Sequence, residues 1–166
     1  MNYWVTTQWP HSTEKPIGQE HSGIFLPNGR ETAVNDMSIG DIVFIYESKH
    51  GRTSIFEQED GTIKKNYCRT GKMEIRDIVE VTRTIYEWID SEPENYTDGT
   101  NIWWRYRGDT KRINTEGFIS LLRLNEILGY SENYTLRGFG DQHSGIKKIT
   151  KKQALALIDE YNSNKK

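Results

Sequence analysis

Apolar and polar positions alternate along most of this chain and recur at helical spacing in only two places. Tyr3–Thr7 (Tyr-Trp-Val-Thr-Thr) is aromatic and β-branched, which predicts a strand ended by Trp9-Pro10. Residues 8–30 contain Pro16, Pro27, Gly18, Gly23 and Gly29 and read as a long loop with room for one short helix. Asp41–Ser48 is a nearly unbroken apolar run, a buried strand, followed by a turn at Lys49–Arg52 around Gly51 and a short strand near Thr53–Phe56. In Met73–Val81, Met73, Ile75, Val79 and Val81 keep one phase while Ile78 breaks it, which predicts a bulge. Glu87–Gly99 is acidic and polar and reads as an exposed loop. Ile102–Arg107 predicts a strand with Ile102, Trp104 and Tyr106 on one face and Trp103, Arg105 and Arg107 on the other.

The helical period is clear near the C-terminal end. Phe118, Leu121, Leu122 and Ile127 fit a helix over 118–128 that Gly129 can cap. Thr150-Lys151-Lys152-Gln153 has the form of a capping box opening a last helix with Leu155, Leu157, Ile158 and Tyr161 as its apolar residues. Strands, two helices and long loops predict an α+β domain spanning residues 1–161, built on a curved sheet or pseudo-barrel, with 162–166 as a fraying tail.

Composition narrows this modestly. At 166 residues the chain suits one domain with a real core, and no apolar run approaches the roughly 20 residues that span a bilayer. The start, Met1-Asn2-Tyr3-Trp4, has neither the basic nor the apolar stretch of a signal peptide. A lone cysteine, Cys68, forms no internal disulfide, so a reducing, cytoplasmic setting is expected. The net charge of −2 is unevenly spread: residues 1–100 carry 10 Lys and Arg against 17 Asp and Glu, and residues 101–166 carry 12 against 7. The second part can therefore present a basic surface on an acidic protein.

Enzymatic chemistry has little support. His11, His21, His50 and His143 show no metal-ligand spacing with one another or with Cys68, and no Gly-rich phosphate loop or nucleophile elbow is present. Gly71–Arg76 has the residue types, but not the spacing, of the signature of the ASCH branch of PUA-like proteins. Glu57, Glu59, Asp60 and Lys64 lie in a polar, turn-like stretch that suits solvent. No catalytic residue, cofactor or metal is expected.

Three segments, in order, resemble the EVE branch of the PUA-like superfamily, which also contains the YTH readers of methyladenine. They are Asn2-Tyr3-Trp4-Val5, Ile39-Gly40-Asp41 leading into Ile42–Ser48, and Ser144-Gly145-Ile146-Lys147-Lys148-Ile149-Thr150 before the last helix. The ending Tyr46-Glu47-Ser48 is similar to recognition domains of modification-dependent restriction systems. The family's Trp-x-Gly-Val-Arg-Asn segment is represented only by Ser22-Gly23-Ile24-Phe25, which is similar to the Gly-Ile-Trp of YTH domains with Phe25 at the aromatic position.

The resemblance implies a nucleic-acid reader, DNA before RNA, that takes a flipped, methylated base into an aromatic pocket and can serve an effector on another chain. On that reading Trp9, Phe25 and Tyr46 wall the pocket, Thr7 and Ser48 form its polar end, and Trp103 offers a further stacking surface. Trp4 and Trp104, mid-strand, are expected in the core. Lys49, Arg52, Arg105, Arg107, Lys147 and Lys148 are the candidate phosphate-binding cations, with Lys151 and Lys152 beside the last helix N-terminus. A small RNA- or nucleotide-processing enzyme on the same barrel and a protein-interaction domain remain the alternatives.

Overall fold

A computed structural model describes residues 1–13, 23–136 and 145–165. Part of the expected loop (14–22), His21, Ser22, His143, Ser144 and Lys166 lie outside the described residues. The chain is mixed α+β. Strands β1 (Tyr3–Gln8), β3 (Ile42–Glu47), β6 (Glu74–Val81), β11 (Thr110–Asn114) and β13 (Ile146–Ile149) form a sheet in the order β11-β6-β3-β1-β13, and β12 (Ile119–Ser120) also pairs with β6. β1 and β3 run parallel and the other pairs antiparallel. A three-stranded sheet has the order β2-β10-β7, from β2 (Ile24–Leu26), β7 (Tyr86–Glu87) and β10 (Tyr106–Gly108). A four-stranded sheet has the order β5-β4-β8-β9, from β4 (Ser54–Glu57), β5 (Ile63–Asn66), β8 (Pro93–Tyr96) and β9 (Asn101–Trp103). Among the described residues no sheet closes on itself: β11 and β13 remain edges, so the nearly closed sheet expected from the sequence is not observed.

The central sheet is buried on both faces, which is why β3 reads as an unbroken apolar run. On one face Val5, Phe44, Tyr46, Ile75 and Ile78 pack with Leu124, from α2 (Leu121–Leu128), and with Leu157 and Tyr161, from α3 (Lys151–Ser163). On the other, Trp4, Val43, Ile45, Val79 and Val81 meet Ile24, Leu26 and Tyr106 of the three-stranded sheet, beside the short helix α1 (Glu31–Asp36). The expected bulge lies at Arg76, with Ile45 opposite Asp77 and Tyr46 opposite Ile75, and it corrects the expected faces: Met73, Ile75 and Ile78 share the helix side, while Val79 and Val81 take the other. Gly129 caps α2 in the left-handed conformation, and Thr150 and Gln153 form the full capping box of α3.

The Gly40-Asp41 turn is an anchor for the fold. Asp41, almost fully buried, accepts from the Asn2 backbone N–H at 2.9 Å, the Trp4 indole at 3.0 Å and the Ser38 backbone N–H at 2.9 Å. Those bonds fix the start of β1 against β3.

Three expectations need correction. Residues 87–99 are not one exposed loop, because β8 runs through them and buries Tyr96. Ile102–Arg107 is not one strand, because a γ-turn from the Trp103 carbonyl to the Arg105 N–H (2.9 Å) interrupts it. The tail does not fray at 162: α3 reaches Ser163, Asn162 accepts from Asn114 at 2.8 Å, and Asn164 donates to the Phe118 carbonyl at 2.9 Å. No helix among the described residues is long and apolar enough to cross a membrane.

Candidate functional site

Where the three sheets meet, a cleft of about 250 Å³ opens. Its walls are aromatic. Trp9, just past β1, lies nearly perpendicular to Tyr96 (5.4 Å, 84°) and to Trp104 (5.6 Å, 82°). The Trp104 indole donates to the Tyr96 hydroxyl at 2.8 Å, which locks these two walls together. Burial pushes the Tyr96 hydroxyl pKa well above its ordinary value. The indole N–H of Trp9 is itself buried with no acceptor among the described residues.

Local structure explains this convergence. Asn66, Ser54 and Tyr96 lie on one rung of the four-stranded sheet, Ser54 pairing with Asn66 on one side and Tyr96 on the other, and all three line the cleft. The γ-turn at Trp104 releases that residue from the sheet period and lets it join the cleft rather than the core. Gly51 lies behind Trp9: a Cβ there would come within 2.7 Å of Cys68 Sγ and 2.9 Å of Trp9, so only glycine fits without displacement. Gln8 is oriented from both ends of its amide, donating to the Gly23 carbonyl at 2.6 Å and accepting from Arg76 at 2.8 Å.

The cationic rim is uneven. Arg107 lies against the Phe25 ring (4.6 Å) and the Trp88 ring (4.9 Å). Its Nε is buried without a hydrogen-bond partner among the described residues, and Glu94, which also lines the cleft, acts on its charge from a distance. Arg52 is held by Thr100 at 2.8 Å and Asp98 at 3.6 Å, near the Tyr96 ring. Cys68 also lines the cleft, but burial raises its thiol pKa, which disfavours a thiolate nucleophile.

Of the residues singled out from the sequence, Thr7, Trp9, Phe25, Arg52 and Arg107 line this cleft together. The hydroxyl of Thr7 already accepts from the Gly145 N–H at 3.0 Å. Tyr46 does not wall the cleft: it packs in the core opposite Ile75, because the strand period turns it toward the helices. Ser48 is a buried brace between strand ends, its hydroxyl bonded to the carbonyls of Gln8 (3.3 Å) and His50 (3.1 Å). Trp103 sits outside, donating to Ser91 at 2.9 Å beneath Arg105.

Among the other cations, Arg105 is engaged by Glu87 (2.8 Å), Asn28 (2.9 Å) and Glu31 (3.8 Å). Lys148 is paired with Asp36, and Lys147 bonds the Tyr130 hydroxyl. Lys49 is exposed and lies apart from the cleft lining. Sequence reasoning missed Tyr96, Trp104, Ser54 and Asn66; the Asp60-Gly61 and Asp98-Gly99 turns were the signals that could have revealed them.

No family model matches the chain, and no curated protein matches it. Among solved structures, the NMR structure of Rpa0253 from Rhodopseudomonas palustris, a structural genomics target, is similar with a TM-score of 0.45 and 13% identity, over 98% of this chain and 94% of that one.

Proposed function

We propose that this chain is a PUA-like domain of the EVE type that binds nucleic acid and reads a modified base, in DNA before RNA, by taking the base into the Trp9–Tyr96–Trp104 cleft. The observation that carries this reading is the right-angled aromatic corner, in which the Trp9 ring plane lies at 84° to that of Tyr96 and 82° to that of Trp104. A flat heterocycle stacks on such a ring, returning about 1–3 kcal/mol. A methyl group directed into the corner adds about 0.8 kcal/mol of apolar burial. The orphan N–H of Trp9 and the polar groups of Ser54, Asn66 and Gln8 supply the kind of donors and acceptors that read a base edge. The cleft is smaller than the roughly 300–1,000 Å³ of a site for a drug-sized ligand, which suits one base.

The test is fluorescence anisotropy with short DNA and RNA strands carrying one N6-methyladenine or one 5-methylcytosine, beside unmodified controls. At least one modified strand binds tenfold tighter than its control, and Trp9→Ala removes the difference. Equal binding of modified and plain strands overturns the reading. Cleavage of any strand favours the enzyme alternative.

A further inference from the structure

Phe25 and Arg107 have two sides. One belongs to the cleft; the other lines a second depression of about 450 Å³ with Tyr86 and Trp88. Strand register explains the arrangement. Arg107 pairs with Phe25 of β2 on one side and Tyr86 of β7 on the other, so the three residues form one rung of the small sheet. Their neighbours Ile24, Leu26 and Tyr106 point into the core, so by alternation this rung faces outward. Trp88, one residue past β7, is 43% exposed and lies against the same guanidinium. The outer face of the sheet is thus a row of ring, cation and rings that begins at the cleft wall. Tyr86 is held in that row by its bond to Asp109 (3.2 Å) and by Arg83 stacked 3.9 Å from its centroid.

We infer that this outer face is a second stacking platform, which holds the nucleotide next to the base in the cleft, so that the ligand is a single strand of at least two nucleotides crossing Arg107. The inference rests on the reading given under Proposed function for the first base. Its chemistry is separate. Arg107 lines both depressions, where the phosphate linking two bases would pass, and is in no ion pair among the described residues, its nearest acidic influence being Glu94 on the cleft wall. Exposed aromatics on a sheet face bind bases of any sequence because every base has a π-face. The partly exposed Trp88 ring has no structural duty comparable to that of Trp4, whose indole is bonded to buried Asp41. The platform therefore adds affinity and strand recognition, while the cleft adds base identity.

The experiment compares the 5′-monophosphates of N6-methyldeoxyadenosine and 5-methyldeoxycytidine with thymidine hexamers containing the same base once, using wild type, Trp88→Ala and Trp88→Phe. The hexamer is expected to bind at least tenfold tighter than the monophosphate. Trp88→Ala weakens the hexamer five- to hundredfold and leaves the monophosphate unchanged, and Trp88→Phe restores most of the loss. Far-ultraviolet circular dichroism confirms that each variant is folded. A hexamer no tighter than its monophosphate, or one indifferent to Trp88→Ala, overturns the inference while selective monophosphate binding leaves the base-reading proposal standing. If plain and modified hexamers bind alike and both depend on Trp88, the base-reading proposal fails and the platform survives. Absence of binding by every hexamer overturns both.

Discussion

Trp104 donates its indole N–H to the hydroxyl of Tyr96 at 2.8 Å, and this one bond joins a residue released by a γ-turn to a residue fixed in the four-stranded sheet. Tyr96→Phe keeps the ring and removes the acceptor. It is expected to lower stability by about 0.5–1.5 kcal/mol, the net worth of one such bond. If the bond sets the Trp104 wall, affinity for modified strands falls as well. Urea unfolding and anisotropy measure the two effects. Unchanged values in both show that the bond has no role in shaping the cleft.

Tyr46 and Trp9 separate core from cleft. Tyr46→Ala removes a ring buried among Phe44, Ile75 and the helices, with an expected loss of about 3–5 kcal/mol. Trp9→Ala removes a half-buried ring and is expected to cost less stability and more binding. Denaturant midpoints and binding curves for both variants decide between them. A stable Tyr46→Ala protein that has lost binding reverses the two roles.

Salt dependence distinguishes free from engaged cations. Each phosphate contact contributes close to one unit to the slope of log K against log salt. Arg107→Ala should reduce that slope by about one unit. Arg105→Ala and Lys148→Ala should change it little, since acidic partners already hold both side chains. Titrations from low to physiological salt give the slopes, and equal slopes for all three variants remove Arg107 from the phosphate path.

Alkaline pH probes three buried phenols. Burial pushes Tyr46 and Tyr161 up to about 12 and raises Tyr96 also, above the ordinary value near 10. The unfolded chain releases these protons first. Their contribution to stability is therefore complete below about pH 10 and is lost as pH rises from there toward the folded values. Urea midpoints should hold steady below that range and then fall. Phenolate absorbance rising in one step near pH 10 for every tyrosine, in a still-folded protein, contradicts this.

What the sequence revealed follows from how local each signal is. The β1 and β3 strands, the bulge in β6, and the caps at Gly129 and Thr150 are encoded within a few residues, and all are found. The four-stranded sheet was less legible because its strands are polar outside and short. Charged residues around Ser54 and Tyr96 masked two hairpins whose Asp-Gly turns place Gly61 and Gly99 at φ +83. Trp9 and Phe25 line the cleft, a placement that their positions at loop and strand ends suggest. The two-residue period puts Trp104 in the core because it cannot register a γ-turn. Tyr46 reads as a cleft residue because a strand end fixes where a ring lies along the strand but not which face it takes.

The cleft draws its walls from separate sheets: Thr7 and Gln8 from the central one, Ser54, Asn66 and Tyr96 from the four-stranded one, and Phe25 and Arg107 from the three-stranded one. A molecule touching all of them is held only while the sheets are docked, so its binding free energy doubles as adhesion between them. Excursions that part the sheets become rarer by the factor 1 + [L]/Kd. The amide hydrogen of Lys64 on β5, which pairs with Phe56 and lies off the cleft lining, should then exchange more slowly when the cleft is filled. The ligand would act as a mortar, and its footprint in hydrogen exchange would be wider than its contact surface.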